Sequence, residues 1–364
     1  MIWLLLGCHL PKESTQEALP DWTWLATDPH VHSSLGSNDT DGLGTPNAVL
    51  SAMETAGLDL IWLTDHSNSQ GSMTCEDVED CPNQGPEMTV GEWPDSVILA
   101  SEISPRSTED NLSTPVGHIG CLPMSVENFS EATFTDRPFG TVTGDEAIRQ
   151  CHDAGGFAIL NHPFGPTSWV AFDWTSLDFD AMEVYNGGAG FDASDEAALE
   201  RWEEGRREGY DWVPIGASDC HRWDTEPPGT LLDAPLGWPR TWLAVSEHER
   251  PHAALSAGKV ILGDPLTHLR YWAVSETELV APGQEITLPA TLVIEAHTEA
   301  EDMELHIIDL HQGLLAQYPL DDSAQTIRLD IQAEGLIYVR VSTSEPSYGL
   351  RGFAMGNVIE YSAD

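Results

Sequence analysis

The chain has 364 residues, of which 60 are acidic and 15 are basic, and its formal net charge is -45 at pH 7. This length suffices for two domains, and an apolar content of 41% is ordinary for a globular protein, which excludes a disordered chain. So negative a surface repels phosphate backbones and anionic membranes, and we therefore expect no nucleic-acid partner.

Residues 1–24 are typical of an export signal followed by a tether. The apolar start runs into Leu5-Leu6-Gly7-Cys8, which resembles the lipobox of bacterial lipoproteins and is too short to span a bilayer. We expect lipidation at Cys8 and export, as a cell-envelope lipoprotein or as a periplasmic or extracellular protein. The lipid would be the only contact with a membrane. A cytoplasmic protein is the alternative, because neither Lys nor Arg precedes the apolar run.

The remaining cysteines are compatible with an oxidising compartment. Cys75 and Cys81 bracket an acidic segment and would form a disulfide there, and Cys121 with Cys151 is a second candidate pair. Cys220 is expected to be a small buried residue rather than a nucleophile.

Helix and strand patterns alternate between residues 25 and 263. One helix is predicted from Pro46 to Gly57, a second from Gly144 to Gly155 and a third over about residues 194–208. Seven strand-like runs lie near residues 25–31, 58–64, 96–102, 116–121, 157–161, 181–185 and 213–218. The alternation predicts an α/β fold whose mostly parallel sheet closes into a seven-stranded barrel. Over residues 264–364 helix signals vanish, and alternating strand patterns predict an appended all-β sandwich domain.

Potential metal ligands end several of these apolar runs. In Asp28-Pro29-His30-Val31-His32 the two histidines can bind one cation, because alternate side chains of a strand face the same way. Later strands end in further ligand residues, namely His66, Glu102, His118, His162, Asp219 and His221. Short apolar runs that each end in a ligand predict a barrel with a metal site at one rim.

The ligand types indicate which ions and which reaction to expect. Nitrogen and oxygen ligands without a thiolate suit zinc, manganese or iron, and the set is large enough for two or three divalent ions. Two or three neighbouring cations commonly activate a water and neutralise charge on a phosphoryl or carbonyl oxygen, so the reaction class is hydrolysis.

The order of these motifs over residues 25–263 resembles the PHP superfamily, the polymerase and histidinol phosphatase metal-dependent phosphoesterases. The resemblance implies a distorted (β/α) barrel of PHP type. Within the superfamily the chain is most similar to the exported branch with carbaryl-hydrolase-like proteins. Two segments suggest that branch, Pro239-Arg240-Thr241-Trp242 after the last motif and Ala257-Gly258-Lys259-Val260 before the β domain.

The resemblance also implies three ion sites. A first ion would be bound by His30, His32, Glu102 and Asp219, and a second by Glu102, His118 and His162, with Glu102 as the bridge. A third would be bound by His66, His221 and an acid of the loop after the first motif. For that acid we choose Asp41, followed by Gly42, with Asp39 as the alternative, because the family's Ser-Asp-Gly comes sooner after the histidine pair.

The leading hypothesis is hydrolysis of a small-molecule phosphate mono- or diester, with a hydroxide that bridges two ions as the nucleophile. The residues assigned to catalysis are His30, His32, Glu102, Asp219 and His221. A carbamate, ester or amide hydrolase on the same centre is one alternative, and a non-catalytic metal-stabilised binding or scaffold protein is another.

Six further residues are candidates for the surroundings of the site. Asp65 would orient a ligand histidine. Arg222 and Arg240 would contact an anionic group of the substrate or form surface ion pairs. The other three, Asn161, Glu183 and Asn186, are expected beside the pocket. For Glu183 an internal salt bridge is the alternative.

Overall fold

The structure, a computed structural model, describes residues 20–37, 39–66, 93–103, 105, 117–123, 143–165, 178–188, 190–226, 229, 233–343 and 349–363. The predicted lipidation site at Cys8 and the predicted Cys75–Cys81 pair lie outside the described residues.

The seven predicted strand runs all contain strands, arranged in two sheets. The first three strands are parallel, and they are β1 (Trp22–Val31), β2 (Leu60–Leu63) and β3 (Val97–Leu99). Five strands form the second sheet, in the order β4 (Ser101–Ile103), β5 (His118–Pro123), β6 (Gly156–Asn161), β7 (Ala181–Asn186) and β8 (Val213–Ala217). The third predicted run is thus split at Ala100 into β3 and β4. Within the second sheet β5 is antiparallel to both neighbours, so the order is not purely parallel.

The second sheet contacts the first at both of its ends, β4 and β8. On one side Ala100 donates its backbone N–H to the Leu63 carbonyl at 2.7 Å. On the other side β1 and the residues after β8 are parallel, because His32 donates to the Cys220 carbonyl at 3.1 Å and Asp219 donates to the His30 carbonyl at 3.0 Å. These contacts bring the carboxyl ends of several strands to one place.

The helices begin and end where capping residues predict. They are α1 (Pro46–Ala56), α2 (Gly144–Asp153), α3 (Ala193–Glu208) and the short α4 (Pro251–Ser256), so the three predicted helices are confirmed. Gly57 ends α1 in the left-handed conformation, with φ of 64°. Among the described residues, these helices are too short or too polar to cross a bilayer.

A disulfide joins β5 to α2 between Cys121 and Cys151, which confirms the second candidate pair. Cys220 is a free thiol with 1% of its surface exposed, as expected of a buried residue.

The C-terminal region is built of strands that extend the first sheet and form a third one. β9 (Arg240–Ser246) and β10 (Val260–Gly263) continue the first sheet beyond β1, with β9 antiparallel to both β1 and β10. The later strands are β11 (Thr267–Val274), β12 (Leu279–Val280), β13 (Glu285–Thr287), β14 (Ala290–Thr298), β15 (Glu304–Asp309), β16 (Gly313–Pro319), β17 (Gln325–Ile331), β18 (Gly335–Ser342), β19 (Ala354–Gly356) and β20 (Ile359–Ser362). Among them β12, β11, β14 and β17 form a separate four-stranded sheet.

The predicted domain boundary after residue 263 coincides with the end of β10. The first sheet nevertheless continues across it, because β10 pairs with β19. One hydrophobic cluster also contains buried residues from both sides of this boundary, such as Ile61, Ile261, Leu269 and Val339. The C-terminal strands therefore share a core with the sheet that begins at β1.

Candidate metal centre

Glu102 lies at the centre of the converging strand ends. Its side chain is 1% exposed, and five histidine nitrogens lie within 3.6 Å of its two oxygens. From Oε1 the distances are 2.8 Å to His118 Nδ1 and 3.2 Å to His30 Nε2 and His162 Nε2; from Oε2 they are 2.9 Å to His66 Nδ1 and 3.6 Å to His32 Nε2. One carboxylate thus contacts histidines from five separate positions of the sequence.

His30, His32 and Asp219 form a group whose atoms face a common point. The two Nε2 atoms are 3.0 Å apart, and Asp219 Oδ1 lies 3.2 Å from each of them. Ligands that surround a zinc ion tetrahedrally at about 2.0–2.1 Å lie about 3.3–3.4 Å from one another. The spacing of this group therefore fits a divalent cation.

The hydrogen bond on the other side of His30 supports the same interpretation. Its Nδ1 lies 2.7 Å from Glu183 Oε1, and because a carboxylate oxygen only accepts, the Nδ1 proton belongs there. The lone pair of Nε2 then faces oxygens of Glu102 and Asp219, both at 3.2 Å. Such an arrangement of acceptors is repulsive unless a cation or a further proton lies between them.

Further combinations of ligands share the same residues. In four groups of three residues, one ligand atom of each residue lies within 4.8 Å of the other two: His30, His32 and Asp219; His30, Glu102 and His162; His66, Glu102 and His118; and His32, His66 and His221. Glu102 belongs to two of these groups, which suits a bridging role. Asn161, predicted beside the site, donates Nδ2 to Glu102 Oε1 at 3.0 Å and so fixes that carboxylate.

The structure corrects the choice of the loop acid. Asp39 Oδ2 lies 3.1 Å from His66 Nε2 and 3.3 Å from His221 Nε2. The Asp41 carboxylate instead accepts backbone N–H groups, from Leu43 at 2.8 Å and from Trp223 at 2.6 Å. Because its oxygens are already used in these bonds, the alternative, Asp39, is the acid that accompanies the histidine pair.

Two of the ligand positions have an unusual backbone conformation. Three described residues other than glycine have positive φ, and they include His162 at 27° and Asp219 at 52°. Side chains larger than glycine rarely adopt such angles, which persist where the surrounding structure enforces them, commonly at functional sites.

The protonation of the site reflects its mixture of buried acids and bases. Burial lowers the pKa of His66 and of His221. The charge and hydrogen bonds of Asp39, together with Glu102 at His66 and Asp219 at His221, outweigh burial and raise these pKa values to about 10 and about 9. Burial and the neighbouring His221 and His66 lower the pKa of His32 to about 3, so that imidazole keeps a free lone pair.

The two central acids behave in the opposite way. Burial alone would raise the pKa of Glu102 and of Asp219, but the adjacent histidines hold both pKa values well below their usual range. The ionised acids are therefore balanced by protons on histidines, and metal ions can replace those protons.

Glu183 supports two of the candidate ligands from behind. It is 1% exposed, and its Oε1 contacts His30 Nδ1. Its Oε2 accepts the backbone N–H of His162 at 2.7 Å and Nδ2 of Asn186 at 3.0 Å. The structure thus places Glu183 as an internal partner of His30, and Asn186 as a support for Glu183. A carboxylate in this position orients a ligand imidazole and increases its basicity.

Asp65 lies outside the ligand set and reaches a ligand histidine through an intermediate residue. Its oxygens accept from the backbone N–H of Ser33 and from the hydroxyls of Ser33 and Ser37, each at 2.7 Å. Ser37 Oγ in turn lies 3.0 Å from His32 Nδ1. Burial raises the pKa of Asp65 to about 6. The sequence offered no signal for Ser37, since no periodicity relates it to the motifs.

Asp28 is a second residue whose role the sequence did not reveal. It is fully buried and accepts backbone N–H groups from Ser218 at 3.1 Å and Gly237 at 2.8 Å, which links the end of β1 to the segment after β8. Its position two residues before His30 was the only signal.

The two arginines make different contacts in the structure. Arg222 is half exposed, and its Nε lies 2.9 Å from Asp233 Oδ1, which is the surface ion pair of the alternative. Arg240 is 6% exposed and donates to the carbonyls of Gly237 and Ala56, both at 2.9 Å. Ala56 precedes β2, so Arg240 stabilises the amino end of that strand, whereas His66 follows its carboxyl end. These contacts do not support the predicted contact of Arg240 with substrate.

Comparisons with known proteins give weak likenesses. No family model matches the chain. An uncharacterized protein of Methanocaldococcus jannaschii is 25% identical over 170 residues, which are 44% of this chain and 82% of that protein.

Two solved structures are also similar. A two-domain protein from Bacteroides vulgatus, containing a predicted PHP-like metal-dependent phosphoesterase, is 18% identical with a TM-score of 0.42, and the match covers 94% of this chain and 97% of that one. A lesion-specific endonuclease from Pyrococcus furiosus is 14% identical with a TM-score of 0.40, and the match covers 64% and 55%. Both scores are too low to support an argument about fold or activity. The comparisons support neither the carbaryl-hydrolase-like branch nor the expected lack of a nucleic-acid partner.

Proposed function

We propose that this chain is a metal-dependent hydrolase of the PHP superfamily that cleaves phosphate mono- or diesters. The observation that supports this most directly is the contact of the buried Glu102 with five histidines from the ends of four strands. The order of the motifs supports it as well, because His30, Glu102 and Asp219, which end separate motifs along the chain, meet in this one cluster.

The proposal includes an architecture. Strands β1 to β8 would form a distorted seven-stranded (β/α) barrel over residues 25–263, with β3 and β4 counted as one interrupted strand and a β-sandwich domain over residues 264–364. The hydrogen bonds that join the two sheets on both sides support closure of the barrel.

The cluster would hold two or three divalent ions, with zinc, manganese or iron as the candidates. We assign His30, His32 and Asp219 with Glu102 to the first ion, and Glu102, His118 and His162 to the second. His66, His221 and Asp39 would bind the third. Divalent ions in such sets lower the pKa of a bound water and neutralise negative charge on phosphoryl oxygens.

The exposure of the ligands indicates where substrate enters. His30 and Glu102 are almost fully buried, whereas the side chains of Asp219, His221 and Asp39 are 21%, 24% and 20% exposed. Substrate would therefore approach from the side of these three residues. His221 holds a proton in the absence of the third ion and can donate it to the leaving oxygen.

A substrate panel separates this proposal from its alternatives. The metal content of the purified protein is measured first, and p-nitrophenyl phosphate, bis-p-nitrophenyl phosphate, an aryl carbamate and a DNA oligonucleotide are then assayed with Mn²⁺ or Zn²⁺. We expect bound metal and hydrolysis of a phosphate ester. Faster hydrolysis of the carbamate would favour the acyl hydrolase, and bound metal without turnover of any substrate would favour the scaffold protein.

We also propose that the protein is exported and carries a lipid on Cys8. The Cys121–Cys151 disulfide supports an oxidising compartment. Metabolic labelling with a radioactive fatty acid tests this, with Cys8→Ser as the control, and label that persists in this variant would contradict it.

A further inference from the structure

Asp39 differs from the other candidate ligands because it lies in the loop between β1 and α1. Its Oδ2 nevertheless lies within 3.3 Å of both His66 Nε2 and His221 Nε2. Contacts outside the ligand set must hold this loop in place. The inference that these contacts affect a third ion rests on the metal centre of the proposed function.

Asp41, two residues further on, ties the loop to the segment after β8. Its Oδ2 accepts the backbone N–H of Trp223 at 2.6 Å and that of Asp224 at 3.3 Å. Its own N–H donates to the carbonyl of His221 at 3.2 Å. Asp41 therefore both accepts hydrogen bonds from residues 221–224 and donates one to them. One of these residues, His221, is itself a candidate ligand.

Trp223 also holds the same loop in place. Its Nε1 donates to the carbonyl of His32 at 3.1 Å, and its ring covers Gly44 so closely that a Cβ there would lie 2.2 Å from Nε1. The sequence thus needs a glycine at position 44 for the indole to fit. The base of the loop is closed by Ser34, whose N–H donates to the Gly44 carbonyl at 3.0 Å and whose Oγ accepts the N–H of Gly44 at 2.8 Å.

We propose that Asp41 is a positioning residue for the third metal ion. Together with Trp223 it latches the first loop to residues 221–224, and this latch sets Asp39 against His66 and His221. Ligands must be held within about 0.5 Å of the productive geometry, and loss of a supporting residue typically weakens metal binding about 10- to 100-fold. Asp41 thus controls the affinity for an ion that it does not itself bind.

Two measurements on three aspartate variants test this latch. Asp39→Ala removes the ligand, Asp41→Ala removes the latch, and Asp224→Ala is the matched control, because the backbone of Asp224 is what contacts Asp41. Mn²⁺ binding is measured by titration calorimetry on metal-free protein. We expect Asp39→Ala to lose one ion per chain and Asp41→Ala to bind that ion about 10- to 100-fold more weakly. The tighter ions should be unchanged in both variants, and Asp224→Ala should match wild type.

The second measurement needs no metal. Leu43 in the same loop is 50% exposed, so chymotrypsin can cleave after it, and mass spectrometry identifies the cut. In metal-free protein we expect faster cleavage in Asp41→Ala than in Asp224→Ala.

Each outcome has a distinct meaning. Loss of the ion in Asp41→Ala to the same extent as in Asp39→Ala, with unchanged loop cleavage, would make Asp41 a ligand and overturn the latch. Unchanged Mn²⁺ affinity in Asp41→Ala would also overturn its positioning role. A wild-type protein that binds two ions at most would refute the third site of the proposed function, while cleavage at Leu43 would still decide whether Asp41 holds the loop.

Discussion

The candidate ligands on or shortly after strands and Asp39, in the loop between β1 and α1, are held by different means. Glu102 on β4 is 1% exposed, and it accepts a hydrogen bond from Asn161 on β6, two strands away in the same sheet. Asp39 is 20% exposed, and its loop is fastened by Asp41 and Trp223. A ligand on a strand inherits its position from the sheet, whereas a ligand in a loop depends on contacts that lie outside the site. Binding of the first and second ions should therefore persist in variants that lose the third ion.

The largest difference from wild type is expected for His30→Ala. This change removes a proposed ligand of the first ion and leaves Glu183 without its imidazole partner. We expect loss of at least one ion per chain and a decrease in kcat/KM of at least about 100-fold, the scale of losing one strong electrostatic contact with the transition state. Metal analysis and steady-state kinetics measure both, with the partly exposed His152→Ala as control. Activity that survives His30→Ala combined with His162→Ala would contradict the site.

Glu183→Gln should have a smaller effect, confined to the binding of the ions whose ligands lie on or next to strands. The amide no longer accepts the His30 proton as strongly, so the ring of His30 is less well oriented. We expect about 10- to 100-fold weaker binding of the first ion and unchanged binding of the third. Titration calorimetry measures both affinities, and Glu54→Gln on the exposed face of α1 is the matched control. Equal weakening of all ions would show that the two kinds of ligand are not independent.

The pH dependence should also distinguish the two kinds of ligand. At neutral pH the metal-free third site holds two protons, on His66 and His221, because their pKa values are raised to about 10 and about 9. The first site holds one, on His30, because the pKa of His32 is lowered to about 3.

Each proton that an ion displaces changes its apparent affinity about tenfold per pH unit. Between about pH 6 and 8 the affinity for the third ion should therefore rise roughly 100-fold per pH unit, and that for the first roughly tenfold. The same raised pKa values stabilise the metal-free fold below pH 6.5, and this contribution is lost as pH rises through about 9 and about 10. Calorimetric titrations at several pH values check the slopes, and equal slopes would contradict the protonation scheme.

The smallest effect is expected for Arg222→Ala. Its guanidinium forms an exposed pair with Asp233, and such pairs contribute about 0–1 kcal/mol to the free energy of unfolding. We expect a small decrease in Tm and less than about a threefold change in KM, on the scale of that contribution. A roughly tenfold increase in KM is larger than the loss of a surface pair can explain, and it would instead support the predicted contact of Arg222 with substrate.

The difference between strands and loops also explains what the sequence could predict. The grouping of His30, Glu102 and Asp219 is predictable because period-two alternation and strand ends are visible in the order of residues. The choice between Asp39 and Asp41 is not visible, because it depends on hydrogen bonds to Trp223 that join residues 182 positions apart.

Arg240 shows a second limit of the sequence. Its position near the last motif suggests a contact with substrate, but β9 carries it to the amino end of β2, where it bonds to the Ala56 carbonyl. Distance along the sequence does not indicate which end of a strand a side chain reaches. In contrast, the helices are predicted well because proline, glycine and capping residues mark their ends locally.

The substitution Glu102→Gln tests the central claim most directly, since this carboxylate contacts five histidines. The amide keeps the volume of the side chain but loses the negative charge that would bridge the first two ions. We expect wild type to bind at least two divalent ions and to hydrolyse a phosphate ester, whereas Glu102→Gln should bind at least one ion fewer and lose most activity, with Glu54→Gln equal to wild type. A Glu102→Gln protein with wild-type metal content and wild-type turnover would contradict the claim that these strand ends form a hydrolytic metal centre.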